Sequence, residues 1–304
     1  MSVTSHDVEI LRDAPIPTWF KVGGPAEMLA RPRSIEEIKR CLDIDPTMKV
    51  LGDGANLLVG DEGVAGLVVS MDHDDLRTIT IDEESGLVSA LAGARLSVVI
   101  NACVTKGLAG LETLAGIPAS VGGAVIMNAG GAFGEIADRI HQVHVIDRDG
   151  VEFALERDKI AFGYRHSGLG DLIVTRVEFM LTPGDTVRLQ ERRLEILKYK
   201  KNSQPMGDRS AGCAFKNPEL TDDIDDIGQK GERVSAGLLI DRAGCKGFTV
   251  GGAAVSDRHA NFITTFPDAK SADVIAIMVE VAGRVHQKFG VKLKPEVIIW
   301  RREP

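Results

Sequence analysis

The sequence predicts an α+β protein of at least two domains. Three observations carry that prediction. Strand and helix patterns mix throughout the chain. Two glycine-rich loops, one around Gly52 and one from Gly110 to Gly131, break up its first half. A charged helix ending at Gln204-Pro205 then separates a last third that has its own helices and strands. A chain of 304 residues is long enough for two domains.

The elements follow in order. Glu27 to Arg31 reads as a strand stopped by Pro32, and Ser34-Ile35-Glu36-Glu37 as a capping box opening a helix through Cys41. Met48–Leu51 and Leu67–Ser70 are short apolar strands. Thr78–Ile81 and Leu87–Leu91 read as paired strands, and Leu96–Lys106 as a helix ended by Gly107. His141–Ile146 and Val151–Leu155 flank Asp149-Gly150, a strong hairpin signal. Leu172–Leu181 alternates as a half-buried strand does. Pro183-Gly184-Asp185 precedes the charged helix Val187–Lys201, with Leu189, Leu194 and Leu197 expected to turn inward. The last third reads as a helix from Ser235 to Ala243, strands near Val250–Val255 and Asn261–Thr265, a long helix and a final strand. Ser271 is expected to cap the long helix. Val274, Met278, Val281, Val285 and Phe289 form its apolar stripe, and Gly290 stops it.

The glycine loops are the most informative feature. Glycine permits positive φ and lets main chain approach a ligand closely, and successive exposed amides form an anion-binding concavity without any lysine. Such a run can equally be a crossover with close helix packing. Its pairing with the upstream Leu51-Gly52-Asp53-Gly54-Ala55-Asn56-Leu57 loop suggests a long ligand held at two points. The Rossmann fingerprint fails, because Leu57 stands where its third glycine belongs.

Composition narrows the function. Hydrophobic residues at 44% and charged residues at 26% are ordinary for a globular protein, and a net charge of −8 argues against a general nucleic-acid or acidic-membrane surface. No apolar run is long enough to span a bilayer, and Met1–Arg12 shows no signal pattern, so a cytoplasmic location is expected. Cys41, Cys103, Cys213 and Cys245 are scattered without a CxxC pair, and no histidine spacing suggests a metal. Three of the cysteines read as core residues.

Three further segments offer chemistry. Phe162-Gly163-Tyr164-Arg165-His166-Ser167 gathers polar side chains on a loop; alone, a surface loop with a satisfied arginine is the plainer reading. Ser210-Ala211-Gly212-Cys213-Ala214-Phe215-Lys216-Asn217-Pro218 places a thiol on a turn of small residues, where a buried small hydrophobe is the plainer reading. Glu296 precedes the apolar run Val297–Trp300, where it could be partly desolvated or could simply start a strand.

Taken in order, Thr18–Ala26, Leu51–Val59, Gly116–Ala124, Phe162–Ser167, Ala211–Pro218, Ser235–Asp241, Lys246-Gly247, Val250–Val255 and His259–Phe262 resemble the UDP-N-acetylenolpyruvoylglucosamine reductase family, also called UDP-N-acetylmuramate dehydrogenase. The resemblance runs from about Pro17 to Trp300, and the short stretch from Pro218 to Ser235 is similar to a compact subgroup without a tyrosine-bearing insertion.

This resemblance implies an FAD-binding domain of the vanillyl-alcohol-oxidase (PCMH) type over 17–186, in two subdomains split near 72, and a C-terminal α+β substrate-binding domain over 203–304. It implies non-covalent FAD, NADPH as co-substrate, and the enolpyruvyl ether of UDP-N-acetylglucosamine as the molecule reduced. The resemblance assigns Gly52, Asp53, Gly54, Ala55, Asn56, Leu57, Gly116, Ile117, Pro118, Ser120, Val121, Gly122 and Gly123 to the pyrophosphate side of FAD, and Asn128, Ala129 and Gly130 to the flavin side. Arg165, Cys213 and Glu296 become catalytic, and Tyr164, Lys201, Asn217 and Asn261 substrate-holding. Cys213 departs from the serine usual in the family, and Asp53 is an anion where a pyrophosphate is expected, so its side chain should face solvent or a cation. An oxidase of the same fold and a binding module without turnover are the competing readings; oxygen consumption without NADPH would favour the first.

Overall fold

The structure is a computed structural model that describes residues 8–302. Residues 1–7 of the N-terminal stretch weighed against a signal pattern, and 303–304 of the C-terminal domain, lie outside the described residues. The chain forms two compact units. The first holds the described residues through Ala14 with Ala26–Asp53 and Ala65–Tyr199; the second holds Pro15–Pro25, Gly54–Val64 and Lys200 onward.

In the first unit, α1 (Ile35–Ile44) begins as the sequence suggests: Ser34 Oγ accepts from Glu37 N at 3.3 Å. Glu37 answers one residue further out, accepting from Arg33 N at 2.8 Å. A four-stranded sheet runs Ile10–Pro15, Pro25–Ala30, Val64–Ser70, Lys49–Leu51. At the foot of α1, burial pushes the Asp45 carboxyl up, but the Leu67 amide, the Thr47 hydroxyl and amide and the Arg148 charge outweigh it and leave the group acidic.

A five-stranded antiparallel sheet is ordered Glu152–Glu156, Ile140–Ile146, Ile173–Met180, Leu87–Leu91, Ile79–Ile81. The hairpin expected at Asp149-Gly150 forms, with Gly150 at φ +82°. Helix α2 (Leu96–Thr105) ends before Gly107 at φ +70°, and α3 (Val121–Ile126) is short. One apolar core joins the two sheets' inner faces, α1, α2 and α3.

Helix α4 (Thr186–Ser203) forms where expected, but Leu194 is 52% exposed. Leu189, Ile196 and Lys200 are the buried positions. The correction is geometric: at 100° per residue, position 196 returns almost to the direction of 189, while 194 points about 140° away.

The second unit has α5 (Ala236–Arg242), capped by Ser235 Oγ on Leu238 N at 3.2 Å, and α6 (Ser271–Phe289). The expected strand near Val250–Val255 is two strands, Thr249–Val250 and Ala253–Val255, turned at Gly251 (φ +53°) and continued antiparallel to Ile263–Thr265. Ile298–Trp300 pairs in parallel with Leu57–Val59. A separate core collects the α6 stripe, Leu239, Ile240, Phe215, Phe20 and Leu58.

Ser271 does not cap α6; it is the first helical residue, and Lys270 holds the cap position. Asp61 does the capping instead, accepting from Ser271 N at 2.8 Å and Ala272 N at 3.1 Å. Asp273 accepts from Lys270 N and Gly252 N, each at 3.0 Å, which holds its carboxyl below the usual range. Gly290 ends the helix at φ +71°. Among the described residues no helix is long and apolar enough to cross a membrane, and no cluster of three or more His, Cys, Asp or Glu could hold a metal.

Candidate active site

Gly52, at the head of the first glycine loop, meets Ser120 of the second within the first unit. A Cβ built on Gly52 would collide with Ser120 Oγ and stand 3.5 Å from Ser120 Cβ, so glycine is what lets the turn after Lys49–Leu51 lie against the start of α3. Ser120 is buried and its Oγ accepts from Gly123 N at 3.2 Å. Val121 N and Gly122 N donate to Ala94 O and Ala92 O at 2.8 and 2.9 Å. Gly122 is glycine for that reason, since its Cβ would lie 2.9 Å from Ala92 Cβ. Gly122 thus serves packing, whereas Gly123 is exposed. Gly116 sits at φ +76° and Gly54 at φ +63°. Asp53, Ala55, Asn56, Ile117 and Ala129 are half-buried, Pro118 is exposed, and Leu57 is in the core of its unit.

One residue of this region carries no sequence signal beyond ending an apolar strand. Ser70 is 1% exposed, lies opposite Leu51 in the parallel pair, and its Oγ has no hydrogen-bond partner. An unsatisfied buried hydroxyl costs about 1–3 kcal/mol. Glycine-rich turns beside an orphaned hydroxyl fit a polar, phosphate-bearing cofactor such as FAD.

The Arg165 loop is also built in the first unit. Gly163 N donates to His166 O at 2.9 Å and His166 N returns to Gly163 O at 3.1 Å, which puts Tyr164 and Arg165 at the corner of a tight turn. Arg165 takes φ +55°, a conformation ordinarily left to glycine and costing on the order of 1–3 kcal/mol. Asn128 holds the turn: fully buried at φ +42°, it donates from Nδ2 to Gly163 O at 3.0 Å and accepts on Oδ1 from Ala137 N at 3.3 Å. Ser167 Oγ donates to Ile126 O at 2.9 Å. The Arg165 guanidinium lies 5.1 Å from the Tyr164 ring centroid. The carboxamide assigned from sequence to the flavin side thus supports the arginine loop.

The second unit carries Cys213 and Glu296 on one framework. Residues 213–216 run between two segments. Cys213 bridges Phe262, and Ala214 N donates to Asn261 O at 2.7 Å. On the other side Glu296 N donates to Ala214 O at 2.8 Å and Lys216 N to Lys294 O at 2.9 Å. Cys213 and Glu296 are half-buried, and beside the thiol Gly212 takes φ +79° with open space where a Cβ would stand. The other three cysteines are fully buried, and burial pushes the Cys41 and Cys103 thiols up to about 11 and about 12.

Asn261 is 2% exposed and spends its carboxamide on both polar groups of the Phe215 peptide unit. Asn217 Oδ1 accepts from Ala236 N at 3.0 Å, at the start of α5. Lys201 is exposed, and its carbonyl accepts from Arg258 at 3.1 Å. A site asparagine cannot be told from a structural one by sequence, because the same amide serves ligand and main chain alike.

Comparison with known proteins agrees with this architecture. Residues 26–156 match an FAD binding domain, and residues 204–300 match the UDP-N-acetylenolpyruvoylglucosamine reductase C-terminal domain. The UDP-N-acetylenolpyruvoylglucosamine reductase of Moorella thermoacetica is 38% identical over 98% of this chain and 95% of its own. That of Desulfosudis oleivorans is 37% identical over 93% and 91%. The crystal structure of the Thermus caldophilus enzyme superposes with a TM-score of 0.77 at 37% identity, covering 96% of this chain and 98% of that one. The chain belongs to the UDP-N-acetylenolpyruvoylglucosamine reductase family, and is an oxidoreductase with an FAD-binding domain.

Proposed function

We propose that this protein reduces the enolpyruvyl group of UDP-N-acetylglucosamine-enolpyruvate to UDP-N-acetylmuramate at the expense of NADPH, in the cytoplasm, for peptidoglycan synthesis. The observation that carries the reading is family membership over nearly the whole chain, with both family domains matched. FAD, when bound, supplies the relay of hydride from the nicotinamide to the vinyl carbon. The main chain of Gly52–Leu57 and Gly116–Gly123 would hold its pyrophosphate, with Asn128–Gly130 toward the flavin and Ser70 adding a hydroxyl.

The protein's own residues do the rest. Hydride addition to the vinyl carbon drives negative charge toward the adjoining carboxylate, which preorganised donors must absorb. Arg165 supplies a permanent cation with a planar fork suited to a carboxylate. Its strained turn supports that role, since a side chain held at a backbone cost is aimed before substrate arrives. Glu296, when protonated, donates a hydrogen bond to the same enolic centre. Cys213 gives a proton to the remaining carbon; a thiol is a stronger acid than the serine hydroxyl usual there. Tyr164, Lys201 and Asn217 bind substrate. Asn261 serves by holding the Phe215 peptide.

The test is direct. Purified protein should be yellow, release intact FAD on denaturation, and turn over NADPH beyond the reduction of its own flavin only when the enolpyruvyl UDP-sugar is added. Oxygen consumption without NADPH, or a colourless protein that FAD cannot reconstitute, would overturn the reading.

A further inference from the structure

Asn56 sits in the first glycine loop, yet its side chain works elsewhere. Its Nδ2 donates to Glu296 O at 3.1 Å, and its own carbonyl accepts from Ile298 N at 3.0 Å. All three residues belong to the second unit. The parallel ladder joining Leu57–Val59 to the last strand begins only at Ile298. Glu296 lies just before it. There the Asn56 carboxamide replaces the missing ladder bond. The Glu296 amide, on its other side, is fixed on Ala214 O at 2.8 Å. Both main-chain polar groups of Glu296 are therefore held: one by the segment that carries Cys213, the other by Asn56.

We infer that Asn56 is a positioning residue for Glu296: its carboxamide fixes the carbonyl of Glu296, and with it the direction in which that side chain leaves the main chain. The inference rests on the reading of Glu296 as the group that stabilises the enolic charge. The chemistry requires an amide. Aspartate has the same shape but offers no donor and sets a carboxylate against a carbonyl. A small misplacement of a reacting group costs up to about 10²-fold in rate, so the substrate half-reaction should feel the loss.

The experiment uses the FAD-loaded enzyme with Asn56→Asp, Asn56→Ala and Asn56→Ser, alone and in a Glu296→Gln background. Flavin reoxidation by the enolpyruvyl substrate should slow about 10- to 100-fold in Asn56→Asp and Asn56→Ala. Asn56→Ser keeps a donor on a shorter arm and should fall between. With FAD kept saturating, because Asn56→Asp adds an anion to the loop that would hold the pyrophosphate, flavin reduction by NADPH should slow far less than reoxidation in each variant. In the Glu296→Gln background, Asn56→Asp should add less than about threefold, because coupled residues are non-additive. Weakened FAD binding with equal loss in both half-reactions would make Asn56 a cofactor ligand and overturn the inference. Fully multiplicative losses in the double variant would also overturn it. Wild-type reoxidation by all three Asn56 variants beside a slow Glu296→Gln enzyme overturns this inference alone; wild-type reoxidation by Glu296→Gln overturns the reading of Glu296 and this inference with it.

Discussion

The carboxamide of Asn261 brackets Phe215: its Nδ2 donates to Phe215 O at 2.8 Å, and its Oδ1 accepts from Phe215 N at 3.0 Å. Both residues are 2% exposed, so no water can take over if the bracket is lost. Asn261→Ala should destabilise the protein by about 2–5 kcal/mol, since each buried group left unpaired costs about 1–3 kcal/mol. Asn261→Asp should be no milder, because it turns a carboxylate oxygen onto the Phe215 carbonyl. Denaturant unfolding measures both, and a loss under about 1 kcal/mol in either would contradict the bracket.

Arg165 and Glu296 are each assigned to charge that develops only when the enolpyruvyl group is reduced. Arg165→Ala and Glu296→Gln should slow flavin reoxidation by substrate about 10²–10³-fold. Reduction by NADPH should suffer less. Stopped-flow traces of the two half-reactions separate these effects, and equal losses in both would refute the assignment. Asn128→Ala should resemble a mild Arg165→Ala, because it frees the turn that holds Arg165 at φ +55°.

Local signals were readable in the sequence, and distant ones were not. The hairpin at Asp149-Gly150 and the cap at Ser34 are set by neighbours in the chain, and they form as read. The start of α6 was misread because its amides are taken by Asp61, 210 residues upstream of Ser271. Leu194 faces solvent because helical angle, not leucine identity, decides which face is buried. Within the site, the glycine loops and Arg165 stood out as residue types doing something unusual. The resemblance names Asn56, Asn128 and Asn261, but the main-chain groups that their carboxamides hold are visible only in the fold.

Cys213 is assigned as proton donor. A positioned general acid contributes about 10²–10⁴ in rate. Cys213→Ser should keep substantial activity. Cys213→Ala should accept hydride from NADPH normally and then stall with substrate. Alkylating reagents should act on this thiol first, because Cys41, Cys103 and Cys245 are fully buried. Reoxidation of Cys213→Ala at the wild-type rate would reduce the thiol to a packing role.

His259 should make the second unit sensitive to mild acid. Its Nδ1 accepts from Asn261 N at 3.2 Å and its ring packs edge-on to Phe262 at 4.8 Å. Burial lowers its pKa, and the Lys246 charge adds to the effect. Above the unfolded value of about 6.5 both states are neutral and the group contributes nothing to pH dependence. Below it the unfolded chain takes the proton first, so stability falls until the folded pKa is passed. The melting temperature should drop between pH 7.5 and 5.5, and the drop should be smaller in His259→Asn. Equal slopes in the two proteins would exclude His259 as the cause.

The division of the chain has a consequence for synthesis and for dissection. Phe20 and Leu58 belong to the second core, and Leu57–Val59 is the partner of the last strand. A ribosome makes these pieces early, and they must wait for the C-terminal third before their core can close. The matched C-terminal family segment, 204–300, should therefore not fold by itself. Expressed alone, it would expose the seat of Phe20 and the open edge of Ile298–Trp300. A chimera that exchanges this domain between relatives must carry residues 15–25 and 54–64 along with it.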